Sequence, residues 1–209
     1  MHFLIGVAVA VGSGLACWAA VKLPTRWIVV AAVPFLIVVL AGAVFGLPLY
    51  PVSDVFVAAF SLLAGVALGR AMPPRFRPFV ILLLALSALD VAQNLAFAGS
   101  PPAPNGAPDP HFIWVNVRFP LPSGHFNIGF ADLVLIAAAA ENLRRRKATV
   151  ALSLLPGIIG VSLGEALLST LPPSPPTLVD AIAASLVLFL TAGYVLTELA
   201  VSQTATKGP

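Results

Sequence analysis

Charged residues are scarce in this sequence. Only 9% of its 209 residues are Asp, Glu, Lys or Arg, whereas soluble domains carry about 25%. With 59% hydrophobic residues and a mean hydropathy of +1.02, the chain cannot cover a globule with polar groups, so lipid must cover it. Composition therefore predicts an all-α polytopic integral membrane protein that forms a single membrane domain over residues 1–209. The net charge of +3 reflects few acids rather than a basic patch, which argues against nucleic acid as a partner.

Cysteine and histidine are also rare, and their scarcity excludes several chemistries. Cys17 is the one cysteine, so no intrachain disulfide can form. The three histidines, His2, His111 and His125, are too few for a histidine metal site, and none is placed in a span as the base of a serine or cysteine nucleophile. The sequence also lacks a glycine-rich phosphate loop. We therefore expect neither a metal nor another cofactor.

Long apolar runs are the dominant feature that is present. Proline-rich or charged breaks separate them, and each run is able to cross a bilayer as a helix, because lipid offers no partners to unpaired backbone groups. Residues 1–77 are predicted to form accessory helices, and residues 78–200 to form a candidate catalytic core. About seven transmembrane helices are predicted, near residues 3–21, 27–47, 55–71, 78–98, 126–143, 148–170 and 178–200.

The longest break, residues 99–125, carries a second kind of pattern. It begins as an irregular segment and then becomes rich in β-formers between Phe112 and Phe119. The partial alternation predicts a short β-strand or hairpin lying over the membrane face. A merely amphipathic loop accounts for the same residues equally well.

Positive charge sets the expected orientation. Ten of the eleven Lys and Arg residues fall on one side of the predicted spans, and Arg118 alone falls on the other. The positive-inside rule makes the crowded side cytoplasmic. We therefore expect an integral protein of a prokaryotic plasma membrane, with the N-terminus and the 99–125 loop outside and the C-terminus in the cytoplasm.

Acids within the spans are the candidates for function, because a charged side chain at the bilayer centre costs about 3 kcal/mol or more. Asp90, Asp132 and Glu165 lie within predicted spans, and Asp180 lies just inside the last one. Solvated positions at span ends or in loops account for the other four acids, which are Asp54, Asp109, Glu141 and Glu198.

Asp90 and Asp132 are predicted to lie at one depth on helices joined by one loop. Asp90 precedes the outer end of its helix by about eight residues and Asp132 follows the next outer start by about six, which places both roughly 9–12 Å below the surface. Two facing carboxylates cannot both ionise cheaply, so the pair shares a proton. One then activates water while the other protonates a scissile amide. Alternatively, a hydrogen bond neutralises each acid separately, or both serve ion transport.

Neighbouring residues fit a site around this pair. Gln93 and Asn94 follow Asp90 on nearly the same helix face, and Gly129 precedes Asp132 by three residues, which leaves room for close approach of a substrate. Helix packing explains the same residues equally well.

The segment Asn127-Ile128-Gly129-Phe130-Ala131-Asp132 resembles the Gly-x-Gly-Asp motif of the presenilin and signal peptide peptidase family of aspartyl proteases. Leu86-Ser87-Ala88-Leu89-Asp90 is similar to that family's first catalytic helix, where Tyr-Asp is usual. The turn from Leu171 to Pro176, with Pro172 and Pro173, stands where the family has Pro-Ala-Leu. Ala131 replaces the second glycine and Leu89 replaces the tyrosine. The family usually has nine spans, two more than predicted here.

The resemblance covers residues 78–200 and implies an intramembrane aspartyl protease with Asp90 and Asp132 as its catalytic pair. Its substrate would be a transmembrane or signal-peptide helix, unwound near the pair, with water entering through a cavity under the 99–125 loop. Val115 and Val117 of the predicted strand would support the extended substrate by strand pairing, and Gly129, Ala131, Asn94 and the two prolines would line the site. The expected orientation is that of the signal peptide peptidases.

Three alternatives remain open. Phe126 to Asp132 also resembles the Phe-Asn-x-Ala-Asp segment of lipoprotein signal peptidases, although their Gly-Asn-x-x-Asp-Arg motif is absent around Asp90. Pro122-Ser123-Gly124-His125 matches a signature of the phosphatidic-acid phosphatase superfamily, but no histidine follows residue 125 and Arg77 lies on the opposite side. A transporter or channel would use the acids as a proton relay, although no internal repeat is evident.

Overall fold

The chain folds into helices and one small hairpin. A computed structural model describes residues 2–97, 114, 116–121, 124–170 and 185–206. Within these residues there are seven α-helices, one short 3₁₀-helix at Ala20–Lys22 and two β-strands. In chain order they are α1 (His2–Ala19), α2 (Thr25–Phe45), α3 (Val52–Ala71), α4 (Phe76–Phe97), β1 (Asn116–Leu121), β2 (Gly124–Gly129), α5 (Phe130–Arg145), α6 (Val150–Thr170) and α7 (Leu186–Thr206).

The expectation of a helical protein with a short hairpin between α4 and α5 is confirmed. One boundary is wrong, because the predicted helix at 126–143 begins only at Phe130 and residues 124–129 form β2. The backbone groups of these residues pair with β1, so strand pairing satisfies them where intrahelical bonds were expected. The last helix was predicted at 178–200; α7 runs from Leu186 to Thr206, and residues 171–184 lie outside the described part of the chain.

The hairpin is antiparallel and is anchored to the helices at its base. Val117 pairs with Ile128, and both side chains are buried. Trp114, just before β1, is fully buried and donates its indole N–H to the carbonyl oxygen of Leu47 at 2.8 Å. Its ring lies against Gly42, where an added Cβ would come within 2.1 Å of it. The α2–α3 connection therefore holds the strand that leads towards α5.

Helices α1, α6 and α7 pack with alternating direction. Trp18 near the end of α1 donates to Ser153 near the start of α6 at 3.0 Å, so these two helices are antiparallel. Further along α6, Gly160 packs on the backbone of Leu190 in α7, while Gly193 of α7 packs on the Pro156 carbonyl oxygen. Helices α6 and α7 are therefore also antiparallel, and their backbones approach closely at Gly160 and Gly193.

Helix α5 occupies the centre of the bundle and runs parallel to α3. Ten of its residues are buried, including the small residues Ala137–Ala140. On α3, an added Cβ at Gly65 would come within 2.4 Å of the Val134 carbonyl oxygen, and one at Gly69 within 2.8 Å of the Ala138 carbonyl oxygen. Small residues on both helices therefore let the two backbones approach closely, as they do between transmembrane helices.

Glu141 ties several helix ends together. It is fully buried, and it accepts hydrogen bonds from Arg70 Nε at 2.9 Å and from Arg144 Nε at 2.7 Å. Arg70 also donates to the carbonyl oxygens of Ala20 and Leu23, just beyond α1. The expectation that solvent at a span end accounts for Glu141 is therefore wrong, because two arginines neutralise it inside the protein.

The other arginines of the same run have partners of their own. Arg145 donates to three carbonyl oxygens at the end of α3, those of Gly69, Arg70 and Met72. Arg146 forms a two-pronged ion pair with Glu198 of α7. The ends of α1, α3 and α5 and the last turns of α7 thus meet at one end of the bundle, which we call the basic end.

The outer surface of the described helices is strongly apolar. Phe45 is 74% exposed, Ile81 66% and Val55 65%, whereas Ser61 and Thr197 are buried. Judged by length and apolar composition, two of the described helices, Thr25–Phe45 and Val52–Ala71, are able to cross a membrane. Other apolar stretches in the described residues, such as Leu186–Ser202, are shorter.

Candidate functional site

Asp132 lies in the first turn of α5, directly after the hairpin. Gly129 is the last residue of β2 and the N-cap of α5, and its backbone N–H donates to Asp132 Oδ2 at 3.2 Å. An added Cβ at Gly129 would stand 3.0 Å from the same oxygen, so a larger residue would crowd the carboxylate. This bond is half of a capping box, in which an acid at the third helical position satisfies the N-cap amide.

Asp90 is held from a different helix. It lies in α4, partly buried, and the hydroxyl of Ser185 donates to its Oδ2 at 2.7 Å. Ser185 in turn accepts the backbone N–H of Leu188 at 3.3 Å, which makes it the side-chain cap of α7. The bond joins the C-terminal half of α4 to the first turn of α7.

The two carboxyl groups belong to helices that share a neighbour. Helix α7 packs against both α4, which carries Asp90, and α5, which carries Asp132. A negative charge on Asp90 would repel one on Asp132. Asp90 stands seven residues before Phe97, the end of α4, and Asp132 is the third residue of α5, so the expected equal distance from helix ends is wrong. Residues 126–129, which were predicted as the start of this helix, belong to strand β2.

An apolar cavity of about 470 Å³ opens beside this part of α4. Leu188 of α7 contributes one wall, and the rest of the lining comes from α4, with Leu84, Ser87, Ala88, Val91, Ala92 and Leu95. The entry path for water was expected under the 99–125 loop, most of which lies outside the described residues. Among the described residues, no group of three His, Cys, Asp or Glu side chains could hold a metal ion.

The residues that were predicted to support the site differ in their positions and exposure. Gly129 contacts Asp132, whereas Ala131, which stands for the second glycine of the motif, is exposed. Val117 has its side chain in the core, so its contribution to substrate pairing is limited to its backbone. Asn94 lies in α4 one turn after Asp90. Four predicted residues lie outside the described part of the chain, namely Val115, Pro172, Pro173 and Asp180.

Several contacts around the site were not anticipated. Ser185 was overlooked because the last apolar run was placed from residue 178, although a serine directly before an apolar helix is a recognisable N-cap signal. Ser87 and Thr191 form a second hydroxyl contact between α4 and α7, at 3.1 Å. Trp114 was counted only as a β-former, and nothing in the sequence points to Leu47 as its partner.

Comparison with known proteins adds no assignment to this geometry. No family model, no curated protein and no solved structure matches the chain. The resemblance to aspartyl proteases therefore rests on the short motifs around Asp90 and Asp132, and function has to be argued from the site itself.

Proposed function

We propose first that the bundle is an integral membrane domain with seven spans. The support is the distribution of side chains, in which large apolar groups point outward and hydroxyl groups point inward. In water such a surface would be an association hazard, whereas in lipid it requires no partner. Helices α2 and α3 carry the strongest signal, and the bundle they belong to extends the same surface over α4 and α7.

The charge distribution supports the orientation. Nine of the Lys and Arg residues belong to the basic end or to the connections beside it, namely Lys22, Arg26, Arg70, Arg75, Arg77, Arg144, Arg145, Arg146 and Lys147. Arg118 lies on the hairpin, beside the starts of α3 and α5. By the positive-inside rule the basic end is cytoplasmic and the hairpin faces outward.

We further propose that the protein is an intramembrane aspartyl protease and that Asp90 and Asp132 are its catalytic residues. One observation carries this proposal: two acids stand on separate helices that both pack against α7, and the partners described for them are a hydroxyl and a backbone amide rather than cations. Among the described residues neither carboxylate forms an ion pair, and we propose that the two share one proton. A shared proton is what a dyad needs to act as base and acid in the same turnover.

The hairpin gives the reaction a place for its substrate. A transmembrane helix must be unwound before its backbone can be cleaved, and the unwound segment needs new hydrogen-bond partners in the membrane. β2 is extended backbone that runs directly into Gly129 and Asp132. A substrate added to the hairpin as a further strand would have its scissile amide close to the pair.

The decisive experiment is cleavage of a tagged transmembrane-helix substrate by the purified protein. Asp90→Asn and Asp132→Asn should each abolish cleavage, and the double variant should be no worse, because the two residues act as one unit. Asp54→Asn is the matched control, since Asp54 is another acid in the first turn of a helix near the hairpin. Substantial cleavage by either catalytic Asn variant would contradict the dyad. Proton uptake into vesicles that depends on both aspartates would then favour a transporter.

The phosphatase alternative is disfavoured by distance. Arg77 lies in the first turn of α4, on the side of the basic end, whereas His125 belongs to the hairpin at the other end of the bundle. The length of α4 that separates the two ends is roughly 30 Å. A phosphate group cannot bridge that distance.

A further inference from the structure

Ser185 links the first turn of α7 to Asp90. Its side chain is fully buried, its hydroxyl donates to Asp90 Oδ2 at 2.7 Å, and its oxygen accepts the N–H of Leu188 at 3.3 Å. A hydroxyl has one proton, and the backbone N–H occupies the acceptor side of this one. The proton of Ser185 is therefore directed at Asp90.

A hydroxyl donor does not stabilise the two protonation states of Asp90 equally. A hydrogen bond from a hydroxyl is stronger to an ionised carboxylate than to a neutral carboxyl group. The cap also stands at the N-terminus of a 21-residue helix, where the helix dipole favours negative charge. Asp132 on α5 is the acid that interacts electrostatically with Asp90, and it receives the longer bond, 3.2 Å, from the backbone N–H of Gly129.

Resting on the proposed protease activity, we propose that Ser185 is a positioning residue that makes Asp90 the ionised member of the pair and leaves the shared proton on Asp132. Asp90 then takes a proton from water while the water oxygen bonds to the scissile carbonyl carbon. Asp132 gives its proton to the leaving amide nitrogen as the C–N bond breaks. The products are a carboxylic acid and an amine, and the proton gained by Asp90 returns to Asp132 before the next cycle.

The test compares variants of the full chain in detergent. Ser185→Gly removes the hydroxyl but keeps a residue that is tolerated at an N-cap, and Ser185→Thr keeps the hydroxyl. Ser87→Ala is the matched control, because it removes a buried hydroxyl from the same α4–α7 interface, where Ser87 contacts Thr191 rather than a carboxylate.

We expect Ser185→Gly to lower kcat about tenfold with little change in KM, and to move the ascending limb of the pH–rate profile up by about one pH unit. The upward direction follows from the lost hydrogen bond, which is stronger to a carboxylate than to a neutral carboxyl group. Ser185→Thr should restore the profile, and Ser87→Ala should leave it in place. A Ser185→Gly profile that coincides with that of the wild type would overturn the proposal.

An infrared measurement tests the contact between Ser185 and Asp90 without relying on proteolysis. The carboxylate bands that disappear in Asp90→Asn are assigned to Asp90, and they should shift in Ser185→Gly but not in Ser87→Ala. If the wild type cleaves no substrate while this shift is present, the protease assignment fails and the Ser185–Asp90 contact stands. If the bands are unchanged in Ser185→Gly, the contact is absent and the inference fails whatever the activity.

Discussion

Replacing Glu141 by glutamine tests whether the basic end is held by buried ion pairs. Glu141 is fully buried between Arg70, whose side chain is 11% exposed, and Arg144, whose side chain is 20% exposed. Glutamine has nearly the same shape, so the change removes the charge while leaving the packing in place. Its effect should therefore report the electrostatic contribution rather than the loss of a side chain.

The expected size of the effect depends on which hydrogen bonds each arginine retains in the variant. Arg70 keeps its bonds to the carbonyl oxygens of Ala20 and Leu23, whereas the recorded partner of the Arg144 guanidinium is Glu141 itself. Breaking a buried pair and stranding one charge costs about 3–5 kcal/mol. Because the amide oxygen still accepts one hydrogen bond, we expect the free energy of unfolding to fall by about 3 kcal/mol.

Unfolding in mixed micelles, followed as the fraction of SDS increases, measures this free energy. Glu198→Gln is the comparison variant, because Glu198 is 13% exposed whereas Glu141 is fully buried, so we expect it to lower the free energy of unfolding by less than Glu141→Gln does. Adding Arg144→Met to Glu141→Gln should recover part of the loss, because it removes the stranded charge. A loss below about 1 kcal/mol for Glu141→Gln, or no recovery in the double variant, would refute the reasoning.

Two further predictions concern the hairpin and the orientation. Gly129→Ala should lower the cleavage rate about tenfold, because the added Cβ displaces the Asp132 carboxylate. The free energy of unfolding should change little, since the backbone angles at Gly129 suit alanine. Wild-type turnover would contradict this prediction. The orientation is tested with single cysteines at the exposed positions Asn127 and Arg75, in a chain whose buried Cys17 is replaced by alanine. A cysteine at position 127 should react with an impermeant maleimide from outside, whereas one at position 75 should react only after permeabilisation. The reverse pattern would invert the orientation.

Much of the helical architecture is predictable from sequence because apolar runs of this length are satisfied only as helices. The error at residues 126–129 has a clear cause. Phe126-Asn127-Ile128-Gly129 is short and apolar enough to continue the following run, and periodicity cannot separate helix from strand over so few residues. Pairing with β1 decides between them, and Trp114, directly before β1, is held by its hydrogen bond to Leu47.

The partners of buried polar groups were much less predictable. Glu141 and Arg70 are 71 positions apart, and Asp90 and Ser185 are 95 positions apart. Hydropathy gives the approximate depth of each residue in a span but not the direction in which it faces. Glu141 was therefore assigned to solvent, although it lies on the buried face of the central helix.

The contrast between the acids separates a structural role from a chemical one. Glu141 lies between two guanidinium groups, which compensate its charge. Among the described residues, Asp90 and Asp132 bond to neutral donors, a hydroxyl and a backbone amide. Capping of α5 explains why an acid stands at position 132, but it does not explain the second acid on α4, which the cap residue of α7 holds. Two acids whose described partners are neutral, in a bundle whose other end pairs its acids with arginines, are the physical reason to seek the chemistry at Asp90 and Asp132.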